Sequence, residues 1–140
     1  MPAPAPWETF PHDADVGVRG RGATREEAFA NAAMAMTSII TEPSNVERHD
    51  SIEISCECPD EELLLVEFLN SVIFQMAVRH LLFSKFLVTI DGNKLHAILV
   101  GEPVSVKRHQ PAVEVKGATL TELAVEKGAD GWVAQCVVDV

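Results

Sequence analysis

Hydrophobic and polar residues alternate along the segment Asp15–Arg21, as they do in a strand with one buried face. Thr24 and Glu27 follow with the spacing of a capping box, in which two side chains satisfy backbone amides at a helix N-terminus. Apolar residues then recur at helical spacing from Phe29 onward, and Pro43 lies where a helix must stop. The pattern predicts a strand followed by a helix.

A second strand and a second helix are predicted further along the chain. Ile52, Ile54 and Cys56 alternate with polar residues, which indicates a strand with one solvated face. Pro59 and the three acidic residues after it form a favourable helix start. Asp91-Gly92 separates two apolar runs and predicts a hairpin. The buried stripe of the second helix is predicted to comprise Leu65, Phe68, Leu69, Val72, Ile73 and Met76.

The C-terminal third favours β-structure. Val113–Val125 is a long run of residues that favour β-structure, and the turn Lys127–Gly131 leads from it into a terminal strand, Trp132–Val140. Two helices and about six strands predict an α+β fold, with two helices packed on one mostly antiparallel or mixed sheet in a two-layer domain. This single domain is expected to span residues 7–140, after a flexible leader of alternating Pro and Ala at residues 1–6.

Composition narrows the classes of partner. The net charge is −10, from 11 basic and 21 acidic residues, so stable direct binding to nucleic acid is not expected. No apolar run is long enough to predict a membrane span, and no secretory signal precedes the domain. Three cysteines, Cys56, Cys58 and Cys136, favour free, buried thiols in a reducing compartment over a zinc site. We therefore expect a cytoplasmic protein without a membrane partner.

Two acidic segments are candidates for metal binding. Asp139 and Val140 bring a side-chain carboxylate, a carbonyl and a terminal carboxylate together, and hard cations prefer such oxygen ligands. His12, Asp13 and Asp15 stand at the entry to the first predicted strand, where they form either ligands or a solvated turn. If the first and last strands are neighbours, Asp15 and Asp139 can meet; the pattern permits this arrangement without requiring it.

Motifs of catalysis are missing from the sequence. There is no G-x-S-x-G elbow, no Walker loop and no H-E-x-x-H pair, and no serine and histidine are paired by spacing. No catalytic residue is therefore predicted, and the expected role is not that of an enzyme.

Several segments together resemble the archease family, in order and over nearly the whole chain after the leader. The similar segments are His12–Gly17, Thr24–Ala33, Phe68–Asn70, Leu81–Phe86, Gly101–Pro103, Glu114–Thr119 and Val138–Val140. The resemblance implies an accessory protein that promotes guanylylation and multiple turnover of an RtcB-type RNA-splicing ligase in tRNA splicing or RNA repair.

The resemblance also implies a divalent cation, calcium in the first place and magnesium as the other candidate. Its ligands would be Asp15, Asp139 and main-chain oxygen of Val140, with Asp13 and His12 as additional candidates. Two positions depart from the family pattern. Asp13 stands where the family usually has Thr, and Leu120-Thr121 stands where it often has Tyr-His.

Two other functions remain open from the sequence. One is a chaperone or specificity module for an RNA-modifying methyltransferase, which a basic docking patch would favour. The other is a stand-alone metal-dependent hydrolase, which needs a second titratable group beside the metal. His12 is the obvious candidate for that group.

Overall fold

The computed structural model describes residues 5–140 of the chain. The predicted flexible leader, residues 1–6, lies mostly outside this range. Its last residue, Pro6, accepts a hydrogen bond at its carbonyl from the backbone N–H of Arg21, 2.7 Å away. The ladder of the first hairpin therefore reaches one residue before Trp7.

The larger of two sheets is built from both ends of the chain. Its strand order is β1-β2-β8-β6, with β7 also paired to β8, and every pairing is antiparallel. The last strand thus lies in the middle of the sheet, between the second strand on one side and two short strands on the other. The strands are β1 (Trp7–His12), β2 (Asp15–Gly22), β6 (Gly117–Ala118), β7 (Ala124–Gly128) and β8 (Gly131–Asp139).

The smaller sheet has three antiparallel strands in the order β3-β5-β4. They are β3 (Asp50–Glu57), β4 (Leu81–Asp91) and β5 (Lys94–Pro103). The predicted hairpin at Asp91-Gly92 is present, and Gly92 supplies the left-handed conformation of its tight turn with φ of 63°.

The helices begin at the predicted capping residues. Thr24 accepts the N–H of Glu27 at 3.2 Å, and the Glu27 carboxylate reaches back to the N–H of Ala23 at 2.8 Å. Asp60 caps the second helix by accepting two backbone N–H groups. The helices are α1 (Arg25–Ile40), α2 (Glu61–Arg79) and the single turn α3 (Val106–His109), with a 3₁₀ turn at Pro43–Asn45.

Helix α1 packs against β1, β2 and β8 of the larger sheet and against β4 of the smaller one. Gly20 permits this close approach, because a Cβ at that position would lie 2.2 Å from the carbonyl oxygen of Ala28. Phe29 of α1 and Phe68 of α2 are fully buried and stack with their ring centroids 6.2 Å apart. The core therefore lies around α1, between the two sheets.

The predicted α+β class and its two long helices are confirmed. Two features differ from the sequence-based expectation: the strands form two sheets, and β1 was not predicted. The β-leaning run Val113–Val125 forms strand only in β6 and at the start of β7. Just before this run, the N–H of Ala112 donates to the carbonyl of Ile40 at 2.8 Å and closes the end of α1.

Candidate functional site

The turn between β1 and β2 carries the first group of predicted ligands. His12 and Asp15 are opposite each other in the hairpin, and Asp13 adopts a left-handed conformation with φ of 52°. Asp tolerates that conformation better than most residues. The Asp13 side chain is 93% exposed and lies 4.0 Å from Nδ1 of His12. Asp13 therefore projects into solvent at the tip of the hairpin.

Strand β8 runs antiparallel to β2 and brings the end of the chain to the same hairpin. Val16 is opposite Val138 in this ladder, so Asp15 and Asp139 occupy the next step of the register. The backbone N–H of Val140 donates to Oδ1 of Asp15 at 3.3 Å. The first and last predicted strands are therefore neighbours, which is the arrangement that a meeting of Asp15 with Asp139 requires. The role of these two residues as metal ligands stays a prediction.

The other side of β8 is covered by β6, where Gly117 is opposite Asp139. The carbonyl of Asp139, which the sequence suggested as a ligand, accepts the N–H of Lys116 at 2.8 Å. On its far side β6 is held by α2, because the N–H of Ala118 donates to Oδ1 of Asn70 at 2.9 Å. The oxygen of Asp139 best placed for a cation is therefore in its exposed carboxylate.

A packed aromatic ring supports this edge of the sheet. Phe10 lies directly over Gly17, where a Cβ would be 2.1 Å from the tip of the ring. The guanidinium of Arg19 covers Phe10 at 4.6 Å from the ring centroid. Val137, opposite Gly17 on β8, is only 2% exposed. The backbone just inside Asp15 and Asp139 is therefore well packed.

Three arginines of two basic segments, Arg19, Arg21 and Arg108, are paired with carboxylates. Arg19 and Arg21 donate to the same Glu8 oxygen at 2.6 and 2.7 Å. These hydrogen bonds hold the pKa of Glu8 below its usual range, Arg19 having the larger effect. Arg108 makes a two-pronged pair with the carboxylate of Glu102. Each of these three arginines is therefore paired with a carboxylate, Arg19 and Arg21 sharing that of Glu8.

A second carboxylate cluster was not found from the sequence. Ligand atoms of Glu47, His49 and Glu102 all lie within 4.8 Å of one another, and this is the one such group of three among residues 5–140. Neither His12 nor the three aspartates belong to it. Glu102 lies 55 positions after Glu47, so no local spacing signals its convergence with Glu47 and His49.

The chemistry of Glu102 favours a structural role for this cluster. Its carboxylate is 4% exposed and accepts hydrogen bonds from Arg108, from the N–H of Glu47 and from Nε2 of His109. These contacts, that of Arg108 foremost, lower the pKa of Glu102 to about 2. Because the N–H of Ser105 donates to Nδ1 of His109, the proton of this imidazole must be on Nε2. The guanidinium of Arg108 already provides the positive charge that a metal ion would provide beside the carboxylate of Glu102.

The three cysteines fit the predicted buried thiols. None of them forms a disulfide; Cys136 is fully buried, whereas Cys56 and Cys58 are partly buried against the core. Burial raises the pKa of Cys56 to about 11 and that of Cys136 to about 12. These two thiols are thus protonated and unreactive near neutral pH.

A surface groove lies elsewhere on the molecule. It has a volume of about 570 Å³ and is lined at the β4–β5 hairpin by residues that include Cys56, Asp91 and Lys94. Neither Asp15 nor Asp139 lines it. Because a cation site needs converging oxygen atoms rather than a large cavity, the groove is a poorer candidate for cation binding than the aspartate pair.

The donor set at the end of β8 fits a hard divalent cation. Asp15 and Asp139 carry carboxylates on neighbouring strands, and the backbone of Val140 is bonded to Asp15, so that main-chain oxygen of Val140 would be the third donor. Calcium and magnesium both accept such ligands, and both complete their coordination with water or with groups of a partner. No helix of the described range is long and apolar enough to cross a membrane.

Fold and site together define a small α+β domain of two antiparallel sheets whose candidate chemistry is carboxylate oxygen at one edge. A model of the Archease protein family matches residues 7–140. Protein archease of Pyrococcus abyssi is 37% identical over 139 residues, which cover 96% of this chain and 98% of that protein. The chain belongs to the archease family.

Two solved structures share the fold. The solution structure of Methanobacterium thermoautotrophicum protein 1598 has a TM-score of 0.83 at 30% identity, covering 96% of this chain and 99% of its own. The crystal structure of an archease from Thermotoga maritima, described as a possible chaperone, has a TM-score of 0.64 at 17% identity. It covers 100% of this chain and 98% of its own, and it supports the fold alone.

Proposed function

We propose that this protein activates an RtcB-type RNA-splicing ligase, by promoting guanylylation of the ligase and hence its multiple turnover in tRNA splicing or RNA repair. Membership of the archease family supports a role as an accessory protein. The net charge of −10 suits docking onto a basic, RNA-handling enzyme better than direct contact with RNA. The activator would act in the cytoplasm, where its free thiols stay reduced.

One observation carries this proposal: β8 pairs with β2, so that Asp15 and Asp139 end side by side with Val140 bonded to Asp15. Two carboxylates at neighbouring register positions repel unless a cation or a partner's positive group lies between them. Asp15, Asp139 and main-chain oxygen of Val140 would hold calcium or magnesium. The cation would supply positive charge for phosphate oxygens of a nucleotide at the contact with the ligase.

The side chains around this edge divide into ligands and supports. Asp13 is exposed enough to contribute a water-mediated contact or negative charge to a partner. His12 lies opposite Asp15 and can orient one of the carboxylates.

Leu120, 64% exposed, follows Thr119, whose N–H is bonded to Val137. In this chain an apolar side chain thus stands where relatives often present Tyr-His.

A turnover assay tests the proposed function. A cognate ligase is given excess RNA ends and GTP, with this protein at one tenth of the ligase concentration. We expect ligation to continue beyond one product per ligase with the wild-type protein and to stop near one product without it. The protein alone should neither join RNA nor hydrolyse GTP; hydrolysis by the isolated protein would instead favour the metal-dependent hydrolase.

A chaperone or specificity role toward an RNA-modifying methyltransferase is the second candidate. The Thermotoga maritima archease, which shares the fold, is described as a possible chaperone. Under that role the protein would leave ligase turnover unchanged and would alter the solubility or site choice of the methyltransferase. The same preparation can be used in both assays, so one set of experiments separates the two functions.

A further inference from the structure

Strand β6 is too short to hold its position on β8 unaided. It has two residues, Gly117 and Ala118, and it covers the part of β8 that includes Asp139. Its ladder to β8 is made by the N–H groups of Lys116 and Thr119, which donate to Asp139 and Val137 at 2.8 and 3.0 Å. A strand with so few backbone hydrogen bonds opens readily by local unfolding.

Asn70 links this short strand to the core. The flanking residues Phe68 and Leu69 are fully buried, which fixes the position of α2 at this point, while Asn70 itself is exposed. Its Oδ1 accepts the N–H of Ala118, which points away from β8. One edge of β6 is thus bonded to β8, and the other is bonded to a rigid helix.

We propose that Asn70 is a positioning residue for the candidate cation site: its side chain holds β6 against β8 and so fixes the backbone of Asp139. The inference rests on the proposed cation site at Asp15, Asp139 and Val140. The connection runs from Oδ1 of Asn70 to the N–H of Ala118, and from the N–H of Lys116 to the carbonyl of Asp139. Asn70 contacts no ligand itself and acts only through β6.

The bond to Ala118 needs an acceptor at position 70 and not an amide as such. Asn70→Asp keeps an oxygen at the same place, so it should retain the positioning of β6 and at most add negative charge near the site. Asn70→Leu has a similar volume but no acceptor, so it should release β6. Because the bond is exposed, its loss should change global stability little.

Gln75→Leu provides the matched control. Gln75 is another amide on α2, but its Oε1 accepts from Arg79 at 2.7 Å on the same helix. This change removes an amide from α2 and leaves β6 untouched. Any effect shared by Asn70→Leu and Gln75→Leu would therefore come from the change in α2 and not from the release of β6.

The test combines calcium titration by calorimetry with amide hydrogen exchange, both on the full chain. Without calcium, exchange at Lys116 and Thr119 should be about fivefold faster in Asn70→Leu than in the wild type. Calcium affinity should fall about tenfold in Asn70→Leu, in the range seen when outer-shell support is lost. Both quantities should stay at wild-type values in Gln75→Leu, and affinity in Asn70→Asp should be at least that of the wild type.

Two different failures can be told apart. If the wild type does not bind calcium, the proposed cation site is wrong and this inference falls with it. If the wild type binds calcium and Asn70→Leu binds it equally well, the positioning role alone is wrong. Faster exchange with unchanged affinity would likewise overturn it, since β6 would then be loosened without consequence for Asp139.

Discussion

The backbone N–H of Val140 donates a hydrogen bond to Oδ1 of Asp15, 3.3 Å away, although the two residues are 125 positions apart in the sequence. This contact exists because the last strand of the chain pairs with the second strand of the fold. It places the carboxylate of Asp15 beside Asp139 at one edge of the larger sheet. The two acidic segments of the sequence thereby meet at the edge where we propose the cation site.

Calcium should stabilise the wild type by binding between these carboxylates. At a concentration 100 times the dissociation constant, binding contributes about 2.7 kcal/mol, which corresponds to a rise in Tm of about 5–10 °C for a domain of this size. Asp139→Asn should lose most of this rise because a charged ligand is gone. The measurement is thermal unfolding with and without calcium.

Asp130→Asn is the control for that variant, because Asp130 is an exposed acid just before the opposite end of β8. It should keep the full rise in Tm. Without calcium, Asp139→Asn should be no less stable than the wild type, since one of two repelling carboxylates has been neutralised. An undiminished calcium response in Asp139→Asn would contradict the ligand assignment.

Gly17→Ala should destabilise the sheet next to the site. The added methyl group would lie 2.1 Å from the ring of Phe10, so the ring must leave its place over β2. Overpacking of this kind costs about 1–3 kcal/mol. Urea unfolding measures the loss of stability, and Gly128→Ala, where the nearest atom is 3.9 Å away, should be nearly neutral.

The same change should cost less in a background without the ring. Phe10→Ala removes the clash, so the destabilisation by Gly17→Ala should shrink to a few tenths of a kcal/mol in the double variant. If Gly17→Ala were equally costly with and without Phe10, the glycine would be needed for another reason than the ring.

Stability should fall as the pH drops from about 4.5 to about 2, through protonation of Glu102. The pKa of Glu102 is about 2 in the folded protein against 4.5 for the free carboxyl group. A lowered folded-state pKa means that this contribution is complete above the unfolded-state pKa and disappears below the folded-state value. Acid unfolding monitored by circular dichroism should therefore be steep in this window.

Glu102→Gln should remove part of that pH dependence. The variant keeps the shape of the side chain but removes the buried charge that pairs with Arg108, leaving Glu47 at 3.7 Å as the remaining carboxylate, so it should be less stable than the wild type at neutral pH. The difference in stability between the variant and the wild type should narrow as the pH approaches 2. A difference that stays constant from pH 7 to pH 2 would show that the ion pair is not the cause.

Local rules predicted much of the fold correctly. The strand at Asp15, the cap at Thr24 and the hairpin at Gly92 each depend on residues within a few positions of one another. The β-leaning segment Val113–Val125 does not form one continuous strand, because a turn in which the N–H of Leu123 donates to the carbonyl of Leu120 separates β6 from β7. A local β preference alone does not reveal where such a turn interrupts the ladder.

The site could be predicted only in part, for the same reason. The candidate aspartates were recognisable as oxygen donors, but their meeting depends on the pairing of β2 with β8, which no local pattern specifies. No local pattern predicted the hydrogen bond between Asn70 and Ala118 either, since the two residues are 48 positions apart. The ion pair of Glu102 with Arg108 joins neighbouring segments, yet burial, which sequence alone does not give, makes it important.

The most direct test of the account is the rate at which a ligase from the same organism forms its guanylate adduct with labelled GTP. The wild-type protein and Asp130→Asn should both accelerate adduct formation, whereas Asp15→Asn should not. Asparagine keeps an acceptor for the N–H of Val140, so this variant should remain folded while losing the charge. Equal adduct rates with and without the wild-type protein would contradict the proposed activation, and full acceleration by Asp15→Asn would contradict the role of the carboxylate.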